Sequence, residues 1–224
     1  MDLVDSLIAQ DWLKTPRIIE AFRNIKRVDF LPAEALAKAG LPDDLRDLAE
    51  LNEALLIGHD QTISQPLVVA FMLELLQPQP GDKILDIGSG SGWTTALLAS
   101  VLSQKSKVIG IEIIPELAEF GRKNVAKYNF VEKGIAEIVC ADGSNGYGKE
   151  SPYDRILASA SLQAESPESS RRNDLPKAWK EQLKIGGRIV TPIGNSIWLF
   201  IKKSKDEFEG IEYPGFVFVP LVSK

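Results

Sequence analysis

Apolar and polar positions follow two different patterns along the chain. Through the first 56 residues the apolar positions recur at helical spacing, as in Leu3, Leu7, Ile8 and then Ile18, Ile19, Phe22, with Pro16, Pro32 and Pro42 as punctuation. Helices are expected there. A further helix is predicted over Leu67–Leu76, where the run LVVAFMLELL follows Pro66, a residue suited to a first helical turn, and Ser64 or Gln65 could cap it. After Gln77 the pattern changes. KILDIG, KVIGIE, AEIVCAD, DRILASA and GRIVTPIG read as strands, and WTTALLASVL, PELAEFGRKNVAKY and LPKAWKEQL as helices between them. Such alternation predicts an α/β fold with a mostly parallel sheet and helices on both faces. The tail departs from it: SIWLFIKK, KDEFEG and GFVFVPLV read as strands joined by a polar hairpin, hence an antiparallel C-terminal edge. With no repeat, low-complexity tract or obvious linker, residues 1–224 are expected to form a single domain. A helical element over 1–77 would precede an α/β core over 78–224.

Between the two patterns lies IGHDQTISQP, residues 57–66. Polar Gln61, Thr62, Ser64 and Gln65 surround a lone Ile63, and a plain turn does not need so many hydrogen-bonding side chains beside a buried helix. Capping is the structural explanation for Ser64; ligand binding is the functional one.

The candidate chemistry centres on the first strand-to-helix turn, Asp86-Ile87-Gly88-Ser89-Gly90-Ser91-Gly92. Glycines let the backbone approach a ligand closely, and the next helix points its N-terminus there. The spacing is G-x-G-x-G, not the G-x-G-x-x-G of pyrophosphate-binding dinucleotide folds. Two further acids add to it. Glu112 ends the second strand, 24 residues after Gly88, where a carboxylate can accept both hydroxyls of a ribose. Asp142, followed by Gly143, ends the next strand, where it could accept from an adenine amino group. Each acid alone has a structural alternative as an N-cap or a surface charge. Together they describe an adenosine site without a phosphate clamp, a pattern similar to that of methyltransferases using S-adenosylmethionine, which implies their Rossmann-like fold.

IGHDQTISQP also resembles the signature of the protein-L-isoaspartate (D-aspartate) O-methyltransferase family. LVDSLIAQDWLKTPRIIEAFRNIKRVDFLP resembles the family's N-terminal helices, and PGDKILDIGSGSGWTTALLA its cofactor loop. ADGSNGYGKESPYDRILASA, LPKAWKEQLKIGGRIVTPIG and the closing FVFVPLV extend the likeness from about Leu3 to Val222. The resemblance implies methyl transfer from S-adenosyl-L-methionine, leaving S-adenosyl-L-homocysteine, to the free carboxylate of L-isoaspartyl (or D-aspartyl) residues in damaged proteins. The methyl ester would then close to a succinimide. It further implies Ser64 as the catalytic position with Thr62 beside it, Asp86, Gly88, Ser89, Gly90 and Gly92 as the cofactor loop, Glu112 for the ribose, and Asp142 with Gly143 for the adenine. Departures accompany the match. Family members commonly have Gly where Asp60 stands, and a Tyr-x-Asp element where this chain has Glu50 and Asn52. SLQAESPESSRRND, from Ser161 to Asp174, reads as a polar surface insertion. A transfer-RNA adenine methyltransferase and a silent S-adenosylmethionine-binding protein of the same fold are the alternatives.

Composition adds exclusions. At 44% apolar and 25% charged residues, 224 residues can bury a sizeable core. Even LVVAFMLELL falls short of a membrane span and is interrupted by Glu74, and the N-terminus is acidic where a signal peptide would be basic. A cytoplasmic monomer without membrane or nucleic-acid partners is the expectation, its partners being isoaspartyl peptides and proteins. The formal charge of −5 argues against a general nucleic-acid binder. Lys202, Lys203 and Lys205 before Asp206, Glu207 and Glu209 read as a solvated hairpin tip. Cys140 alone permits no internal disulfide, and the lone His59, read as a loop residue, disfavours metal chemistry. Asp60 reads as an exposed turn residue, and Trp93, Trp179, Trp198 and Tyr153 as packing residues.

Overall fold

In the computed structural model, residues 2–33, 35, 44–102, 105–163 and 175–222 are described. Helices α1 (Leu3–Ala9), α2 (Pro16–Asn24) and α3 (Leu45–Ala49) occupy the N-terminal part. Asp2 caps α1, its carboxylate accepting from Asp5 N at 2.7 Å. The start of α2 is capped from a distance: one oxygen of Glu74 accepts from Lys14 N and Thr15 N, both at 2.8 Å, and the other from Thr15 Oγ1 at 2.7 Å. Glu74 lies on α4 (Pro66–Leu76), whose Val69, Ala70, Leu73 and Leu76 are buried. The acid that interrupts the apolar run therefore has a fixed task.

The polar segment before α4 is a two-stranded antiparallel hairpin, β1 (Leu55–Gly58) with β2 (Gln61–Ile63). Its turn residues, His59 and Asp60, have φ of 54° and 57°, the left-handed conformation that a tight hairpin turn of matching twist needs. Both are exposed, as expected of a loop histidine and a turn aspartate.

The main sheet contains β3 (Lys83–Ile87), β4 (Lys107–Glu112), β5 (Ala136–Cys140), β6 (Tyr153–Ala158), β7 (Leu183–Ile193), β8 (Ser196–Lys202) and β9 (Phe208–Pro214) in the order β5-β4-β3-β6-β7-β8-β9. The first five strands are mutually parallel, and β8 and β9 pair antiparallel. Strand parity divides the interior into two apolar clusters. Ile84 and Val108 pack with α4, α5 (Trp93–Val101) and α6 (Pro115–Ala126) on one face, while Leu85, Ile87, Ile109 and Ile111 pack with Trp179 of α7 (Lys177–Gln182) on the other. Strand order reverses direction at β3, whose neighbours are β4 and β6. Such a switch point opens a crevice beyond the C-terminal strand ends.

Three expectations need correction. The antiparallel edge is built by Phe208–Pro214, and GFVFVPLV is no ladder strand; it meets the body through Gly215 N and Phe216 N donating to Asn195 O, through Phe216 stacked on Phe71, and through an isolated bridge between Ser161 and Pro220. Lys202 does not belong to the solvated tip: it is 5% exposed, and its Nζ donates to Lys180 O at 2.5 Å and Leu183 O at 2.8 Å, closing the end of α7. Neither Ser64 nor Gln65 caps α4 with its side chain. Leu67 N donates instead to Asn52 Oδ1 at 2.9 Å, and Gln65 Nε2 donates to Asn52 O at 2.9 Å. Residues 164–174 of the polar insertion lie outside the described residues. Among the described residues no helix is long and apolar enough to cross a membrane, and no cluster of His, Cys, Asp and Glu could hold a metal ion.

Candidate active site

The turn after β3 is held by the neighbouring strand. Gly88 N and Ser89 N both donate to Ile111 O, at 2.8 and 3.0 Å, and Gly92 N closes back on Ser89 O at 2.8 Å. Gly92, at φ 89°, leads into α5, and a Cβ there would stand 2.9 Å from Gly121 O and from Val125 Cγ2. That glycine serves close packing of the turn on α6 rather than the opening toward a ligand.

Asp86 lies wholly buried beneath the turn. Its Oδ2 accepts from Thr94 Oγ1 at 2.8 Å and Thr95 Oγ1 at 2.6 Å, while Oδ1 has no partner. Burial pushes its carboxyl up to about 6, opposed by the two threonine hydroxyls and reinforced by the nearby Glu112 charge. Glu112, 6% exposed, is fixed at both oxygens: Oε2 accepts from Gly90 N and Oε1 from Ile114 N, each at 2.9 Å. A carboxylate oxygen accepts more than one bond, so each keeps capacity for a ligand hydroxyl. Asp142 takes the capping role that was its structural alternative, its Oδ1 accepting from Ser144 N at 2.9 Å.

Above β3 lies an open-mouthed cleft of about 790 Å³, the solvent space at its mouth included. Of the residues singled out in the sequence, Thr62, Ser64, Gly88, Ser89, Gly90, Glu112 and Gly143 line it, whereas Asp86, Gly92 and Asp142 do not. Asp86 and Gly92 shape the turn from behind. The hairpin β1–β2 is what carries Thr62 and Ser64 to the glycine turn, with Ile57 beneath: a Cβ on Gly90 would meet Ile57 Cδ1 at 3.2 Å. Opposite, Val219–Val222 form a wall. That wall is fastened through Ser161, whose N donates to Val219 O and whose O accepts from Leu221 N, both at 2.8 Å.

Arg27 went unnoticed in the sequence. It is 6% exposed, and burial pulls its guanidinium down to about 9, partly offset by Glu50. Nη1 donates to Ala49 O at 3.2 Å and Leu51 O at 2.9 Å; Nη2 donates to Glu53 O at 2.6 Å and Ser64 O at 3.3 Å. The same group lies 5.3 Å from the centroid of the Trp93 ring. A basic residue beside an apolar helical pattern reads as a surface charge, so only long-range structure reveals this one. The aromatic readings hold: Phe22 meets Trp93 edge-on at 5.7 Å, Trp198 stacks on Phe200 at 5.6 Å, Trp179 Nε1 donates to Gly143 O at 2.8 Å, and the buried Tyr153 donates to Tyr147 O.

A family model described as protein-L-isoaspartate (D-aspartate) O-methyltransferase matches residues 1–224. The chain belongs to that family. Among relatives of this isoaspartate methyltransferase family, the protein-L-isoaspartate O-methyltransferase of Methanopyrus kandleri is 37% identical over 226 residues, covering 99% of this chain and 90% of the relative. That of Aeropyrum pernix is 39% identical over 229 residues, covering 99% of this chain and 78% of the relative. A Plasmodium falciparum structure of the same description, in complex with S-adenosyl-L-homocysteine, superposes with a TM-score of 0.80. It covers 99% of this chain and 97% of that one at 20% identity, a likeness of fold. The α/β sheet with its antiparallel C-terminal strands is thus the fold that this chain shares with that structure.

Proposed function

We propose that this protein transfers a methyl group from S-adenosyl-L-methionine to the free carboxylate of L-isoaspartyl residues in damaged proteins, which is the α-carboxylate, and to that of D-aspartyl residues, which is the β-carboxylate. The observation that carries the reading is the shared cleft, in which Thr62 and Ser64 of the hairpin segment face Gly88–Gly90 and Glu112. The residues present fit the nucleoside. Ser89 lines the cleft with a buried hydroxyl lacking a partner, and Glu112 is oriented by two backbone amides with acceptor capacity left. Glu112 would hold the ribose hydroxyls, the Gly88–Gly90 backbone would lie along the amino-acid end, and Gly143 would border the adenine, in a turn that Asp142 caps from outside the cleft.

S-adenosylmethionine supplies a methyl group on a positively charged sulfur, so its departure needs no acid. The acceptor carboxylate, of reference pKa about 4, is already ionised at neutral pH, so no strong base is needed. The chain's contribution is alignment and exclusion of water. Ser64 Oγ would donate a hydrogen bond to the carboxylate oxygen that does not attack, turning the other toward the methyl group. Thr62 and the backbone about Ile63 would complete that pocket. Holding the reacting atoms in line about 3 Å apart is itself a large part of the rate enhancement.

The test is methyl transfer from labelled S-adenosylmethionine to paired synthetic peptides, identical except for L-isoaspartate or normal aspartate at one position. Base-labile label on the isoaspartyl peptide alone is the expected result. Label on neither, from protein that binds S-adenosyl-L-homocysteine, would point to another acceptor, such as a transfer RNA, or to binding without turnover. In a companion measurement, Glu112→Ala is expected to weaken cofactor binding by roughly 100-fold, the loss of charge-assisted bonds to two hydroxyls; unaltered affinity would remove Glu112 from the ribose site.

A further inference from the structure

We infer that Arg27 is a positioning residue for the methyl transfer, acting through Ser64, an inference that rests on the proposed role of Ser64. The guanidinium is buried, and among the described residues it makes no salt bridge, although the Glu50 charge acts on it from a distance. Its two terminal nitrogens engage four backbone carbonyls, three from residues 49–53 and the fourth that of Ser64. A buried cation is costly, and the four carbonyl dipoles on its terminal nitrogens offset part of that cost, while Nε, also buried, has no hydrogen-bond partner among the described residues.

The placement of those carbonyls connects Arg27 to chemistry. Ser64 stands between the hairpin and α4, and Gln65 and Pro66 follow it. Pro66 has no N–H, so the short stretch is poor in backbone anchors. The Ser64 carbonyl held by Arg27 fixes the peptide plane next to the Cα from which the hydroxymethyl group branches, and Ser64 lines the cleft. From the other side, Asn52, within the same clamped segment, holds Leu67 N and Gln65 Nε2. The guanidinium also lies over the ring of Trp93, which follows the glycine turn directly and lines the same cleft. Arg27 therefore ties the residue that would orient the carboxylate to the turn that would hold the cofactor. A displacement of 1 Å at such a hydroxyl is enough to spoil in-line attack.

The experiment is a double-mutant cycle on the full chain with Arg27→Lys and Ser64→Ala, assayed on an isoaspartyl peptide, with S-adenosyl-L-homocysteine affinity and Tm measured for each protein. Lysine keeps the charge but cannot span four carbonyls. Arg27→Lys is expected to lower kcat by roughly 10-fold while homocysteine-adduct affinity changes by less than about threefold. In the double mutant, kcat is expected to lie within about twofold of Ser64→Ala alone, since a residue acting through Ser64 has nothing left to position. Losses that multiply would overturn the inference and assign Arg27 to general stability. Should Arg27→Lys fail to fold, Arg27→Gln, neutral and shorter, takes its place in the cycle; failure of both to fold would equally reduce Arg27 to a structural part. If Ser64→Ala itself leaves kcat unchanged, the role of Ser64 in the proposed function fails, and a kcat lost in Arg27→Lys alone would show Arg27 acting by another route.

Discussion

The two sides of the cleft are built in contrasting ways. The cofactor side is local: Asp86 to Gly92 form one turn, braced by Ile111 O on the adjacent strand and by Thr94 and Thr95 one turn further along the chain. The substrate side is assembled from afar. Ser64 is steadied by Arg27, the start of α4 by Asn52, and the facing wall by Ser161 holding Val219 and Leu221. A local turn is difficult to alter without losing the fold, whereas a site made of distant pieces can change one piece at a time. The departures from the family pattern, Asp60 and the pair Glu50 and Asn52, all lie on the second side.

The largest effect is expected from striking the local side. Gly92→Val would force a β-branched residue into the left-handed region and push its Cβ to 2.9 Å from Gly121 O and from Val125 Cγ2. Left-handed strain of about 1–2 kcal/mol and overpacking of about 1–3 kcal/mol together predict a loss of roughly 2–5 kcal/mol, read by denaturant unfolding. A fully stable variant would show the turn to be far more plastic than its packing indicates.

Next is the buried acid beneath that turn. Because burial raises the folded carboxyl of Asp86 to about 6, from the usual 3.8 of an aspartate, the native state binds the proton more tightly than the unfolded chain. The contribution of Asp86 to stability is thus fullest at low pH and declines as pH rises from about 4 to about 6, a change on the order of 3 kcal/mol. The stability of wild type relative to Asp86→Asn should fall across that interval and then level off. A difference independent of pH would mean that Asp86 is ionised throughout.

On the assembled side, Asn52→Ala removes the acceptor for Leu67 N and is expected to cost about 1 kcal/mol, as other lost helix caps do. Its diagnostic value lies in activity: kcat should fall while S-adenosyl-L-homocysteine affinity holds, since the cofactor side does not depend on this cap. The smallest effect belongs to Asp60→Gly. Glycine suits φ 57° at an exposed turn, so stability should change by less than about 0.5 kcal/mol and kcat by less than about twofold. A large gain in activity would mean that the Asp60 charge repels the substrate carboxylate.

The same contrast decided what could be read from the chain. Strands β3 to β7 and helices α4 to α6 announce themselves through local periodicity, and the glycine turn through spacing. The hairpin β1–β2 did not, because three- and four-residue strands carry too little alternation and His-Asp is not the Asn-Gly that usually marks such a turn. GFVFVPLV looks like a strand because it is rich in apolar β-formers, yet that character serves the wall of the cleft, while the more polar FEGIEYP forms the edge. Lys202 and Arg27 were invisible for one reason: a basic residue is assigned to the surface unless its carbonyl partners are known, and those partners lie 19 to 37 positions away.

Glu74 carries a consequence for how the molecule opens. The carboxylate that breaks the apolar run of α4 holds the first turn of α2, and Phe22 of α2 meets Trp93 beside the glycine turn. The N-terminal helices cannot peel away without stranding that carboxylate and baring the ring. Amide hydrogens along α2 should therefore exchange at the rate of the central strands, and the start of the chain should unfold with the core as one cooperative unit.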